Sequence, residues 1–349
     1  MKKRNLSAKK KIHNFYLKNL NNPKIKKIYS QFKKSLDNQN IKSLGIAISG
    51  GPDSLALAFL AKCYSIQKNK KYLYFIVDHK LRKESTKEAK LTKKNLKTYG
   101  INCEILIWNK KKLVSNLQST ARENRYRLIF NKCSEKKINL ILTAHHKDDL
   151  YENFFIRLLR GSGLKGLSSF SSPKTKINKE KDIFVFRPLL NISKNDLAYI
   201  AKKTFNFFII DPSNEDDKFL RIKIRKLINQ LTQNGLDFKK FKLTLENLYK
   251  SNQTIEFYIK KNIKDNSIFL NQKKSIILSE NFLNQPDEII FRSFSELIHK
   301  LGNKKKYTRG SKILNLIRSI NLSENFKKKT LSGCTFEKLN KSIIISQER

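Results

Sequence analysis

An α/β class is predicted: a doubly wound, mostly parallel sheet followed by a helical domain and a small α+β C-terminal part. Three observations predict it. Residues 44–60, LGIAISGGPDSLALAFL, read as a buried strand, a glycine turn and the start of an apolar helix. Short apolar runs then alternate with helically spaced segments as far as residue 143. Each of three polar motifs, SGGPDS, DHKLR and AHHKDD, directly follows an apolar run, so all three fall at the carboxyl edge of one sheet, where such folds bind ligands.

In chain order, residues 1–23 are basic and without clear period, which predicts a basic flexible extension. Ile25, Ile28, Tyr29, Phe32 and Leu36 then recur at helical spacing. Strands are expected at 44–48, 72–77, 103–107 and 139–143, with helices at 55–66, 87–99 and 121–136 between them. A helix over 148–160 would put Asp149, Glu152 and Asn153 on one face. The Gly-, Ser- and Lys-rich stretch 161–182 reads as a mobile loop, followed by a strand at 184–190 and a capped helix at 193–203. Asp211-Pro212-Ser213-Asn214 is a turn. From residue 218 to about 300 the spacing is mostly helical, with Leu227, Leu231, Phe241, Leu245, Leu248 and Phe257 as core candidates. The last forty or so residues suggest a helix near 312–320 and strands around 333 and 343–345. The expected domains are therefore a 1–23 basic flexible extension, a 24–230 α/β domain, a 231–305 helical domain and a 306–349 small α+β region.

The 349 residues carry 74 Lys and Arg against 29 Asp and Glu, a net charge of +45. That balance points to a polyanionic partner such as nucleic acid. Part of it reflects a Lys-, Asn- and Ile-rich composition, so many lysines are simply solvated surface. Cys63, Cys103, Cys133 and Cys334 are widely spaced without a C-x-x-C pair, which argues against a zinc ribbon, an iron-sulfur cluster or a disulfide scaffold. No apolar run reaches membrane-span length and no apolar signal core follows the basic N-terminus, so a cytoplasmic protein is expected.

The turn at 49–54 has the makings of a phosphate cradle. Paired glycines let backbone approach a ligand, and the first amides of a helix lack internal acceptors. It lacks the GK[ST] ending of a Walker A loop, and the plain alternative is a helix cap after a glycine turn. SGGPDS resembles the PP-loop of ATP pyrophosphatases, which cleave ATP to AMP and pyrophosphate on an adenine nucleotide α-hydrolase-like fold. Seven ordered blocks narrow the resemblance to the tRNA(Ile)-lysidine synthetase family: SGGPDS at 49–54, VDHKLRKES at 77–85, ARENRY at 121–126, AHHKDDLYEN at 144–153, RGSGLKGL at 160–167, RPLL at 187–190 and DPSN at 211–214. TLSGC at 330–334 is a weaker echo. The family's DDQxET reads Asp148-Asp149-Leu150-Tyr151-Glu152-Asn153 here, and its RNxIR reads Arg221-Ile222-Lys223-Ile224-Arg225, so the charged positions survive while Gln, Thr and Asn are replaced.

The resemblance implies that 24–230 is a PP-loop ATP-binding catalytic domain and 231–305 a helical tRNA-binding domain, and that the reaction is modification of the wobble cytidine of a CAU-anticodon isoleucine tRNA. ATP adenylates the 2-carbonyl oxygen, and free L-lysine displaces AMP through its side-chain amine. In that reading Ser49, Gly50, Gly51, Pro52 and Ser54 cradle the pyrophosphate, and Asp53 holds Mg2+ or caps the helix. Asp53 and Asp149 together suffice for Mg2+, which uses one or two carboxylates. His145 and His146 are adjacent on an extended segment, point opposite ways and have no third nitrogen or sulfur ligand nearby, which disfavours a transition-metal site. His146 is a positioning donor to a phosphate or adenylate, with a buried, satisfied histidine as the plain alternative. A lysine side chain has a pKa of about 10.4, so its attack needs a base or desolvation. Asp149 and Glu152 could bind the ammonium and take its proton, or belong to a solvated helix face. Arg122, Arg125, Arg187, Arg221 and Arg225 are candidates for RNA or ATP phosphates, with surface salt bridging the alternative for each. Competing readings are a PP-loop tRNA thiolase, a nonenzymatic RNA-binding protein of the same fold, and a PP-loop synthetase making a small-molecule amide.

Overall fold

The computed structural model describes residues 2–39, 41, 43–80, 82–108, 117–170, 172–178, 182–209, 220–270, 274–302, 308–322 and 326–348. Helices α1 (Lys2–Leu20) and α2 (Pro23–Asp37) lead into β1 (Leu44–Ile48). Then follow α3 (Pro52–Gln67), β2 (Leu73–Asp78), α4 (Ser85–Thr98), β3 (Cys103–Ile107), α5 (Leu117–Glu135), β4 (Leu140–Leu142) and α6 (Lys147–Leu158). Next come α7 (Leu164–Ser168), β5 (Lys174–Asn178), β6 (Ile183–Phe186), α8 (Lys194–Phe205), α9 (Leu220–Gln233) and α10 (Phe238–Asn266). Within α10, after Leu245, the chain passes from a first compact unit into a second.

The first unit is built on six strands in the order β3-β2-β1-β4-β6-β5, all parallel except β5, which runs antiparallel to β6. Helices cover both faces, so the central strands read as continuous apolar runs without alternation. On one face α3, with every residue from Leu55 to Ala61 buried, packs with α2 and α8 around Phe32, Leu36, Leu197 and Ile200. On the other, Ile129 and Cys133 of α5 meet Phe75, Ile141 and Val185. Because β1 has β2 on one side and β4 on the other, the strand order reverses at its carboxyl end. A crevice opens at such a point.

Two stretches differ from expectation here. Residues 2–20 form helix α1, whose Tyr16 is 1% exposed, stacks on Phe59 at 5.4 Å and donates to Tyr99 O at 2.9 Å. Its lysines concealed an apolar face of Ile12, Phe15, Tyr16 and Leu20. Within 161–182, α7 and the edge strand β5 replace the expected loop. An edge strand with exposed lysines carries no apolar signature, and KTKIN shows none.

In the second unit, α10 continues into β7 (Ser267–Leu270), β8 (Ser275–Leu278), α11 (Asp287–Leu301), α12 (Gly310–Leu322), β9 (Lys329–Leu331), β10 (Cys334–Leu339) and β11 (Ser342–Gln347). Its sheet is antiparallel, in the order β7-β8-β11-β10-β9. From residue 246 on, the expected helical domain and C-terminal region thus share one sheet and one core around Phe282, Phe294 and Phe336, while residues 231–245 belong to the first unit. Short apolar runs such as SIFL and SIIL cannot be told from helix by period alone. Among the core candidates Leu245 is buried and Leu227 and Phe241 pack against buried neighbours, but Phe257 is 63% exposed. The inward side of α10 is instead partly polar: Asn252 Oδ1 accepts from buried Arg292 at 2.7 Å, and Asn262 donates to Ser293 at 3.3 Å.

Since Tyr16 is enclosed, Tyr16→Ala is expected to lower the unfolding free energy by about 3–5 kcal/mol in urea titration. An unpacked N-terminal tail would give no change.

Candidate active site

The loop after β1 is shaped by one hydroxyl. Ser54 Oγ, buried in the first turn of α3, accepts from the amides of Ser49 and Gly50 at 3.1 Å and donates to Gly51 O at 2.9 Å. Pro52 opens α3, where a missing amide proton costs nothing and the fixed φ suits the helix. Gly50 has φ +87°, and a Cβ there would lie 2.7 Å from Thr92 Oγ1 and 3.1 Å from Ile209 Cδ1. Ile209 N also donates to Gly50 O at 3.0 Å. The loop is therefore braced from α4 and from the chain leaving α8.

Beside it lies a cavity of about 370 Å3. Ser49, Gly51, Asp53 and Ser54 line one side, His79, Arg82 and Ser85 after β2 another, and Thr143 and His145 after β4 a third. Ile48, Ile76, Ala89, Tyr126 and Ile129 give it apolar walls, the mixture that holds a flat base and its polar tail. The DHKLR segment owes its shape to Asp78. This buried carboxylate accepts from Lys80 N, Ser85 Oγ and Thr86 Oγ1 at 3.0, 2.9 and 2.6 Å. Burial opposes its charge, but those three donors prevail and hold its pKa below the usual range.

His79 accepts from Arg125 Nε at 3.0 Å. Burial, reinforced by the Arg125 charge, pushes its pKa down to about 4. This pair was not foreseen. His79 showed as a polar residue after a strand, but its partner lies 46 positions on, on α5, and no local spacing links them.

His146 joins the cavity to a cluster of acids. It sits buried at the start of α6, where its amide donates to Asp149 Oδ2 at 3.1 Å. Its ring lies 3.6 Å from Asp53, 3.4 Å from Asp148 and 3.5 Å from Asp149. Burial lowers its pKa, but the carboxylates of Asp148, Asp53 and Asp149 outweigh it and raise the value to about 10. Asp148 is opposed by its own burial, yet His146 and the amide of Lys194 at 2.9 Å hold it down to about 2. The chain from Thr143 to Lys147 is held by the stretch 186–192, which contains RPLL. Thr143 N donates to Phe186 O, His146 bridges to Leu189, and Lys147 N donates to Ile192 O.

Asp53, Asp149 and His146 are thus brought together. Glu152 is placed differently from a solvated helix face: it is 1% exposed and accepts from Arg225 Nε at 2.5 Å, with Arg221 Nε 3.9 Å away. Arg221 and Arg225 of α9 therefore face an acid, and Glu152 has its oxygens engaged. Arg187 is buried and turned inward, donating to Ser172 O and Thr175 Oγ1 and lying 4.7 Å over the ring of Phe170. It clamps the segment entering β5 and offers no surface for RNA. Arg125 is exposed and lines the cavity. The side chain of Arg122 and the turn 211–214 lie outside the described residues.

A glycine loop at the switch point of a parallel sheet, with an apolar-walled cavity and acids at two helix starts, defines a nucleotide-handling PP-loop protein. Residues 23–232 match the model of the family described as PP-loop domain, a family that uses ATP. The chain is 34% identical over 316 residues to a tRNA(Ile)-lysidine synthase of Orientia tsutsugamushi, covering 87% of this chain and 69% of that protein. It is 32% identical to that of Wolbachia pipientis over 87% of this chain and 70% of the relative, and 29% identical to that of Anaplasma marginale over 84% and 62%. The chain belongs to the tRNA(Ile)-lysidine synthase family. In fold it is also similar to the U34-tRNA thiolase NcsA of Methanococcus maripaludis, with a TM-score of 0.55 at 20% identity over 65% of this chain and 79% of the other. Among the described residues no helix is long and apolar enough to cross a membrane.

Two outcomes follow from this geometry. Gly50→Ala adds a strained left-handed residue, a cost of about 1–2 kcal/mol, and crowds Thr92. ATP affinity should fall roughly tenfold by calorimetry. Separately, the folded protein keeps His79 neutral while the unfolded chain protonates near pH 6.5. Its contribution to stability is therefore whole above 6.5 and lost as pH falls toward 4. An imidazole NMR titration should place His79 near 4, and Arg125→Ala should raise it only part of the way to 6.5, since burial is the larger cause.

Proposed function

We propose that the chain ligates L-lysine to the wobble cytidine of CAU-anticodon tRNA(Ile) at the expense of ATP. The observation that carries this reading is the continuity of two sites. Asp53 lines the glycine-loop cavity and also faces His146, which stands beside Asp149. Bound ATP in the cavity would thus have its phosphates next to an acid cluster suited to a cationic nucleophile.

The loop and the amino ends of α3 and α6 orient the triphosphate so that its α-phosphorus faces the cytidine O2. Attack of that oxygen forms an O–P bond and releases pyrophosphate. The lysine amine then attacks C2, the C–O bond breaks, and AMP leaves with the oxygen. Lysine arrives as an ammonium with a pKa of about 10.4, so a carboxylate must take a proton before or during attack. Glu152 is committed to Arg225, which leaves Asp149 as the acceptor and gives Glu152 a positioning part. His146, held cationic by its three neighbours, keeps Asp53 and Asp149 from repelling each other and sets their spacing.

The residues fit Mg2+. Asp53 Oδ1 is buried without a hydrogen-bond partner among the described residues, and oxygen ligands suit that ion. Asp53 would hold it, one carboxylate being enough for this ion, which leaves Asp149 for the proton. When bound it neutralises triphosphate charge.

Incubation with ATP, Mg2+, lysine and CAU-anticodon tRNA(Ile), followed by mass analysis of the nucleosides, should show a lysine-cytidine adduct. AMP release without that adduct would point to another nucleophile. Asp53→Asn should abolish AMP release, by more than about 100-fold if it removes the ligand of the Mg2+ that neutralises the triphosphate, while tRNA binding by gel shift stays within about twofold. Equal loss of both would remove Asp53 from the proposed role.

A further inference from the structure

In the second unit, α10 presents an aromatic pair that its core does not use. Phe257 is 63% exposed and Tyr258 50%, and their rings meet edge to face at 5.4 Å. Helical geometry puts Lys250 at i−7, Lys260 at i+3, Lys261 at i+4 and Lys264 at i+7 on the same side as Phe257. The stripe runs about 21 Å along the axis. All four lysines are exposed, and none of their ammonium groups pairs with a carboxylate among the described residues. Two acids flank the stripe: Glu256 is turned toward Asn252 Nδ2 at 3.0 Å, and exposed Asp265, four residues after Lys261, makes no salt bridge among the described residues.

A solvated lysine face needs no phenyl ring, and an exposed ring among cations has a specific complement. An unpaired nucleotide offers a flat base to stack on the ring and phosphates on either side for the ammonium groups. A duplex offers the charge but hides its base faces. A second copy of this helix would set lysines against lysines. We propose that this face of α10 is an RNA contact that stacks an unpaired nucleotide of the tRNA. This rests on the reading of tRNA as substrate and adds a contact to it.

The test uses the full chain, fluorescent CAU-anticodon tRNA(Ile) and a fully paired RNA duplex, with anisotropy read over a range of salt. Phe257→Leu keeps apolar bulk and removes the π face. It should weaken tRNA binding about 5- to 100-fold, leave duplex binding unchanged and leave the salt slope for tRNA unchanged. Phe257→Trp should restore affinity. Lys261→Gln with Lys264→Gln should instead flatten the salt slope, by about 0.7 for each phosphate that is no longer neutralised. Wild-type affinity for tRNA in Phe257→Leu, or equal weakening toward tRNA and duplex, overturns the proposal. So does a concentration-dependent dimer that Phe257→Leu retains and Phe257→Asp abolishes, since the face would then belong to a second copy. AMP release by the wild-type chain is measured on the same tRNA. Its absence overturns the substrate reading, while the anisotropy series still judges the stacking face.

Discussion

One buried imidazole balanced against three carboxylates connects the two halves of the site. Asp53 comes from α3 and so from the end of β1. Asp148 and Asp149 come from α6 and so from the end of β4, the neighbouring strand. Three acids near one another would repel, and each is tolerated for a nameable reason. All lie in the first turn of a helix, where the macrodipole favours negative charge. His146 supplies the opposite charge at 3.4 to 3.6 Å from each. Because the same ring faces acids from both helices, binding at Asp53 changes the field felt at Asp149. The glycine loop and the start of α6 are electrostatically one system.

The outer braces of that system differ in kind. The loop is held by a neutral hydroxyl, Ser54 Oγ, which meets amide protons without adding charge. Ser54 therefore shapes the cradle from within and leaves the outer backbone of the loop for a ligand. On the other side, α6 is tied to α9 by Glu152 and Arg225. Removing one partner from a buried pair costs far more than the pair contributes, so such pairs matter chiefly for where they hold things. This one holds the acid helix at a fixed rotation, with Asp149 toward Asp53 and Glu152 one turn behind.

The catalytic fold was legible because its signal is local. Leu44–Ile48, the glycine turn and the apolar start of α3 follow one another without interruption, and a strand buried on both faces needs little context to recognise. The neighbours of the loop were legible for the same reason: Asp53, His146 and Asp149 lie in short motifs directly after strands. What escaped was non-local or compositionally masked. The His79–Arg125 and Glu152–Arg225 pairs join residues far apart in sequence, and Arg187 looked like a surface cation until Phe170 was seen beneath it. Lysine-rich composition hid α1, since four apolar residues on one face are enough to dock a helix that reads as a basic tail. Phe257 failed in the opposite direction, its helical spacing matching a core position while the packed side of α10 used asparagines.

Net charge needs the same separation of local from global. A balance of +45 draws the chain toward any polyanion and cannot select one. The exposed ion pairs do little to organise it, for an isolated surface pair contributes at most about 1 kcal/mol. Selection requires charge combined with something a wrong partner lacks. In the first unit the element proposed is a carboxylate-lined end to the glycine-loop cavity, suited to a cationic amine beside a nucleotide. On α10 the element proposed is an aromatic face among lysines, which would separate an unpaired base from a duplex. On that reading the lysines serve the rate of encounter with RNA, and the few residues of other chemistry set among them serve selection.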